Sequence, residues 1–432
     1  MNKNSMLGVL EKELVVSLGC TEPVSIALAA ATARDYMKGN IQSIEVLAST
    51  NVIKNAMAVG IPGMKATGID FVAALGVVAG DSKKDLEVLA GISEEDEEQA
   101  ISLVEAGKVS VELADTSKKL YIEVKFTTDE GYARAIIHDN HTFIALVEAN
   151  GELVYKNGCG NTHFATSEEE RDELTIPEIY EFVTTVDVKE FELVKKSIKL
   201  NRNVALDGLS NEYGLQVGKT LKANVLKGIL SDDLTTHAMA LAAAGSDARM
   251  AGSTMPVMAN SGSGNQGIAV TMPVVAAGEI LNASEEELIR AVTLSHLLAI
   301  YIKNQFGRLS ALCGVTVAGA SASAAITYLL GGDIEKIKYA IQNTLGNVTG
   351  MICDGAKAGC AMKVATCSSA AVQSALLASQ GMCISATDGF IEADVEKTIE
   401  NFCRLGNEGS SNMDKIMLEM MINKRKCSEE MG

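Results

Sequence analysis

Three stretches of this chain, 250–278, 309–332 and 364–387, contain no charged residue. Segments that long without charge must be covered on most sides, by a protein core or by a bilayer. Their composition decides between the two. They are rich in Gly, Ala, Ser and Thr rather than Leu and Phe, and the first holds two prolines and the run SGSGNQG. Lipid would penalise such backbone. They read as closely packed, buried helices of a globular protein with no membrane partner. The rest of the composition agrees: 47% hydrophobic, 21% charged, 4% aromatic, no Trp and 38 glycines, so small side chains fill the interior. A formal net charge of −18 argues against a nucleic-acid partner, which needs clustered Lys and Arg.

The N-terminal MNKNSMLGVLEKELV carries charges through its apolar part and does not read as a signal peptide. Nine cysteines without such a peptide point to a reducing compartment, the cytoplasm, where thiols are free, metal-bound or catalytic.

Residues 1–38 read as helix, with a stripe of Leu10, Leu14 and Val15, a break at GCTEP, and a second helix from about Val24 to Met37 behind Pro23. The texture changes over 42–157. SIEVLAST reads as a strand. SKKDLEVLAGI and SEEDEEQAISLVEAG read as helices, the second opened by Ser93. KVSVELAD, KLYIEVKFTT, GYARAIIHDN and TFIALVEANGELVY then alternate as strands, with turns at TDEG and EANG. Residues 158–185 read as a polar joint, and from about 187 helix follows helix. The expected fold class is α+β: a mostly α-helical catalytic domain with an inserted α+β domain built on an antiparallel sheet. The expected boundaries are 1–40, a helical segment joining the C-terminal domain; 41–160, the α+β domain; and 186–432, the all-α domain.

Within GMICDGAKAGCAMKV (350–364), Cys353 and Cys360 lie seven positions apart. One continuous helix would separate them by roughly 10 Å of rise, too far for one small metal centre. Gly355 and Gly359 argue instead for a bent loop. Cys313, in SALCGVTVAG, sits beside a glycine at the start of an apolar helix. Three cysteines at glycine breaks can converge, and soft thiolates select zinc or iron–sulfur clusters. No C-x2-C pair exists to make a zinc ribbon. Cys367, Cys383, Cys403 and Cys427 read as small core residues.

Cys20, in GCTEPVS, stands just before a helix start, where the dipole is expected to lower its pKa; the plainer reading makes Thr21 the cap and Cys20 filler. In NSGSGNQG (260–267), glycine-freed N–H groups with Ser261, Ser263, Asn265 and Gln266 suit a carboxylate or phosphate, as they would suit a plain tight turn. The run is neither a Walker A loop nor a dinucleotide fingerprint. His138 and His141 read as a surface turn, Cys159 and His163 fall in the joint, and His237 and His296 read as core or helix-face residues.

Together SLGCTEPVSIALAAA, SGSGNQGI, the Cys313 segment and GNVTGMICDGAKAGCAMKV resemble the L-cysteine desulfidase family, related to the catalytic chain of iron–sulfur L-serine dehydratases. The motifs occur in the family's order over nearly the whole chain. The resemblance implies a [4Fe-4S] cluster on Cys313, Cys353 and Cys360, with Cys20 acting in proton transfer. It implies conversion of L-cysteine and water to hydrogen sulfide, ammonia and pyruvate. Three thiolates would leave one iron open to the substrate's β-sulfur. Ser261, Ser263, Asn265 and Gln266 are then candidates to hold the substrate carboxylate, and Lys357 and Lys363 to offset the cluster's charge. The expected partner is thus a small-molecule substrate, L-cysteine; a homo-oligomer is compatible with the sequence but not specified by it. The competing readings are an iron–sulfur serine dehydratase, a pyridoxal-phosphate lyase and a non-enzymatic iron–sulfur sensor.

Overall fold

A computed structural model describes residues 3–57, 59–64, 66–157, 174–306, 310–409 and 412–429. Cys159 and His163 lie outside these residues, as does the Cys427 side chain. Helix α1 (Lys3–Glu13) stops where the sequence turns β-branched. Leu14–Ser17 is strand β1 rather than the expected continuation of a helical stripe. After α2 (Thr21–Asp35) come β2 (Ile41–Ala48), α3 (Thr50–Ala56), α4 (Ile69–Ala79) and α5 (Glu94–Glu105). Ser93 caps α5 in a reciprocal pair with Asp96, as its sequence predicts. SKKDLE, read as the start of a helix, forms only a short 3-10 turn, kinked at Asp85.

Strands β3 (Val109–Leu113), β4 (Tyr121–Thr128), β5 (Gly131–His138), β6 (Ile144–Ala149) and β7 (Glu152–Lys156) complete the first unit. The sheet order is β3-β2-β4-β5-β6-β7. Every pairing is antiparallel except β2 with β3, which are parallel. The expected antiparallel sheet is therefore mixed: α3, α4 and α5 form the crossover that a parallel pair requires. One face carries Ile44, Val46, Ile122, Val124, Phe126, Ala135 and Ile137 into a core under α2 and α4. The other is a charge ladder, Lys125 to Glu45 and Arg134 to both Glu123 and Glu148.

The second unit runs through α6 (Ile176–Thr185), α7 (Glu192–Ser210), α8 (Val217–Leu226), α9 (Leu234–Met250), β8 (Val257–Asn260), α10 (Gly264–Leu281) and α11 (Glu285–Phe306). It continues through α12 (Gly314–Leu329), α13 (Ile334–Val348), α14 (Cys360–Ser379), α15 (Val395–Arg404) and α16 (Met413–Glu429). One strand interrupts the expected run of helices: β8 pairs antiparallel with β1. The first 40 residues divide between two cores. Met6, Leu10 and Leu14 join the helical one, whereas α2 buries its apolar residues beneath the sheet.

The charge-free stretches fall largely on α10, α12 and α14. Residues Gly264–Gly278 and Val315–Thr327 are buried throughout, while α14 keeps Leu376 and Leu377 at the surface. Several of their small polar side chains offset the cost of burial by bonding back one turn. Thr271 donates to the Gly267 carbonyl at 2.7 Å, Ser321 to Val317 at 2.9 Å and Ser368 to Val364 at 2.8 Å. Among the described residues, no helix is long and apolar enough to cross a membrane. Cys367 and Cys403 are core residues as expected, but Cys383 is only half-buried.

Candidate active site

Four helices begin around one cavity of about 110 Å³. Cys20 is the N-cap of α2, Ser263 of α10 and Cys313 of α12, and Cys360 is the first residue of α14. All four residues line the cavity, with Cys353, Asn265, Glu22, Asn55 and Arg249. The positive ends of four helix dipoles thus meet at the cavity, a field that favours thiolates and anions.

A short ladder brings Cys313 and Cys353 together. Leu312 bridges Ile352. On either side the Cys313 N–H donates to the Met351 carbonyl at 2.9 Å and the Cys353 N–H to the Ala311 carbonyl at 2.7 Å. Flanking one bridged pair, the two cysteines project from the same face as diagonal neighbours. The chain then turns at Gly355, whose φ of +92° suits glycine. A Cβ there would also stand 2.3 Å from the Lys54 carbonyl. The turn delivers Cys360 to the head of α14. Asp354 holds it by pairing with both Lys357 and Lys363, and Lys363 donates to the Ile352 carbonyl at 2.9 Å. The two lysines therefore clamp the cysteine loop through Asp354, rather than being merely solvated. From the other side Lys54, fully buried, pairs with Asp414 of α16 at 2.5 Å and donates to the Cys353 carbonyl at 3.2 Å.

Of the four residues expected to cradle a carboxylate, Ser263 and Asn265 line the cavity and Ser261 and Gln266 do not. Ser261 forms the turn itself, at φ +49°, with its hydroxyl on Asn260 at 3.0 Å. Gln266 donates to the same Asn260 oxygen at 2.8 Å. Behind them His296 fixes Asn260. The Asn260 amide donates to Nδ1 at 3.0 Å and Ser197 Oγ lies 2.9 Å from Nε2, so the ring proton sits on Nε2. His296 is a core residue, as its sequence context indicates, but one that buttresses the site.

Burial holds the His296 pKa down at about 3. This gives a pH prediction. Its ordinary pKa is about 6.5, so as pH falls from there toward 3 the unfolded chain takes a proton that the native state refuses. The His296 contribution to stability is complete above that window. It is lost through it, at a rate approaching ~1.4 kcal/mol per pH unit. Chemical denaturation at pH 7, 6 and 5 should show a shallower pH slope for His296→Gln than for wild type; equal slopes would refute the assignment.

Cys20 departs from expectation. Burial, with the charge of Glu22 beside it, pushes its thiol up to about 12, more than Arg249 and the dipole can offset. It is a thiol that donates to Glu22 Oε2 at 3.3 Å. Sequence reading passed over Glu22, although it lies within GCTEP. Its side chain is also bonded by Thr21 at 3.0 Å and by Asn55 at 2.9 Å. His141 Nε2 stands 3.9 Å from Oε1, so His141 is buried against the site rather than on a surface turn. Burial alone would raise the Glu22 pKa, but His141 and Asn55 hold the carboxyl well below its usual range. Arg249 was passed over too, and its signal was visible: with Asp247 it is a charge set in the otherwise uncharged run MALAAAGSDARMAG.

The donor set can be tested against the cluster that the resemblance implies. Among the described residues, no three His, Cys, Asp or Glu side chains converge tightly enough for a single metal ion. A cluster makes a different demand, since its thiolates are spread over several irons. Cys313, Cys353 and Cys360 are soft donors lining one cavity, two of them at helix starts. Burial and the neighbouring Cys353 push the Cys313 thiol upward, a crowding that a cationic centre would relieve. The residues fit the group.

The fold and cavity define an α+β protein with a thiol-lined pocket at a junction of helix starts. The serine dehydratase alpha chain model matches residues 83–419. The chain is 46% identical over 419 residues to a UPF0597 protein of Oleidesulfovibrio alaskensis, covering 97% of this chain and 98% of that one. UPF0597 proteins of Clostridium perfringens and Photobacterium profundum are 43% and 42% identical, over 97% and 98% of this chain and 98% and 99% of theirs. The chain belongs to the serine dehydratase alpha chain family, a family of lyase-type enzymes related to the iron–sulfur serine dehydratases.

Proposed function

We propose that this protein is an iron–sulfur-dependent L-cysteine desulfidase, taking L-cysteine and water to hydrogen sulfide, ammonia and pyruvate. The observation that carries the reading is the single small cavity lined by Cys20, Cys313, Cys353 and Cys360 together with the SGSGNQG turn. Cys313, Cys353 and Cys360 would hold a [4Fe-4S] cluster. When bound, such a cluster supplies an iron of Lewis-acid character that favours departure of a soft β-sulfur.

The chain's own residues supply the proton chemistry. Cys20 Sγ keeps its proton on Glu22 Oε2 at rest. Cys20, held by that bond, is the group placed to exchange a proton at the substrate's α-carbon. Loss of the β-sulfur as hydrosulfide then leaves an enamine, which water hydrolyses. Ser263 and Asn265, at the head of α10, orient the substrate.

The family description favours a second substrate, L-serine. A thiol leaves more readily than hydroxide and binds soft iron better. Higher kcat/KM on L-cysteine than on L-serine is therefore expected, measured anaerobically as sulfide and pyruvate release by the iron-loaded protein. Equal or greater kcat/KM on L-serine would make it a dehydratase.

A further inference from the structure

We propose that Arg249 is the anchor for the α-carboxylate of the amino-acid substrate. The proposal rests on the reading of this cavity as an amino-acid site. Arg249 is 4% exposed and lines the cavity from the end of α9. Its Nη2 donates to the Gly19 carbonyl at 3.0 Å. Its Nε is buried with no hydrogen-bond partner among the described residues. The carboxylate sharing the cavity, Glu22, is taken by Cys20, Thr21 and Asn55. A buried cation without a counter-charge is costly.

Its position makes the need sharper. The guanidinium lies against the first residue of α10: a Cβ on Gly264 would stand 2.2 Å from Nε and 2.7 Å from Cζ. The helix dipole repels a cation placed there. An anion between the guanidinium and the helix start answers both. The planar fork matches a carboxylate in two-point geometry. Ser263 and Asn265 then orient a group that Arg249 binds.

The test uses L-alanine, which has no β leaving group, and L-alaninamide, which lacks the carboxylate. Binding of each to anaerobically purified, iron-loaded protein is measured by calorimetry. Wild type should bind L-alanine on the order of 10²-fold more tightly than the amide, and Arg249→Gln should bring that ratio close to one. Iron content should stay at the wild-type level. Gly264→Ala, which pushes the guanidinium aside without removing it, should lower the ratio in the same direction and carries the test should Arg249→Gln fail to fold. A ratio unchanged in the variants overturns the anchor. So does loss of iron with the preference retained, because Arg249 would then only balance the thiolates. So does a wild-type protein that does not prefer the acid. Wild type that shows the preference but eliminates from neither L-cysteine nor L-serine keeps the anchor and removes the lyase reading. Wild type that turns over L-cysteine while Arg249→Gln keeps the preference does the reverse.

Discussion

Replacing any one of Cys313, Cys353 and Cys360 by serine is expected to strip iron from the protein and lower lyase turnover by at least about 100-fold. Loss of a residue that merely supports a ligand costs about 10–100-fold, and loss of the ligand itself costs more. The three are not equivalent in the fold. Cys313 and Cys353 are tied by the Leu312–Ile352 bridge and its two flanking backbone bonds. A serine at either position leaves that ladder intact, so the fold should survive while one donor hardens from sulfur to oxygen. Cys360 is held by its helix and by the Lys357 carbonyl at 2.9 Å, again through its backbone. The chemistry can therefore be removed without removing the scaffold. Iron per chain and the visible spectrum of anaerobically purified protein are the measurements, with circular dichroism to check folding. Cys367→Ala is the control. Its sulfur is buried about two turns further along α14, against Met351 at 3.8 Å. It should cost about 1 kcal/mol of stability and no iron. Full iron in one of the three serine variants would remove that residue from the ligand set.

Much of this arrangement was legible before any coordinates. The charge-free stretches announced buried helices because a charge at those positions would have had nowhere to go. The strands of 109–156 were legible because one sheet face is apolar and the other charged, so the side chains alternate. Two features were not. Leu14–Ser17 is four residues long and gains its partner from Val257–Asn260, far along the chain, so no local pattern marks it. The parallel edge strand β3 alternates like its neighbours, and only the crossover reveals its direction.

At the site, residue type pointed to Cys313, Cys353, Cys360 and Cys20, because thiols beside glycines are conspicuous. It pointed to the SGSGNQG turn as a whole but could not tell its inward members, Ser263 and Asn265, from Ser261 and Gln266, which hold the turn. That distinction depends on φ at Ser261 and on Asn260 behind it. Glu22 and Arg249 were missed for another reason. A single charged residue in a helix normally faces water, and only the packing of α2 and α9 shows that these two face a cavity.

Replacement of Cys20 by alanine is expected to leave iron content and substrate binding near wild type and to lower anaerobic kcat by a factor of roughly 10² to 10⁴, the range for loss of a positioned general base. The structure gives that role a different starting state. The helix dipole was expected to present a ready thiolate, yet burial and Glu22 keep the sulfur protonated, with a pKa near 12. A thiolate must then be made within the site, and the 3.3 Å hydrogen bond to Glu22 orients the sulfur for it. Glu22→Gln should consequently lower kcat as well, although Cys20 is untouched, since an amide replaces the anionic acceptor that orients the thiol. The competing role is that of a removable cap on the cluster, which Cys20 could play because it lines the same cavity as Cys313, Cys353 and Cys360. A cap predicts the opposite pattern: Cys20→Ala loses its iron faster in air but turns over normally without oxygen, and Glu22→Gln has little effect on kcat. Single-turnover and steady-state rates of both variants under strict anaerobiosis separate the two, and near-normal kcat in Cys20→Ala would leave the substrate's α-proton without its proposed acceptor.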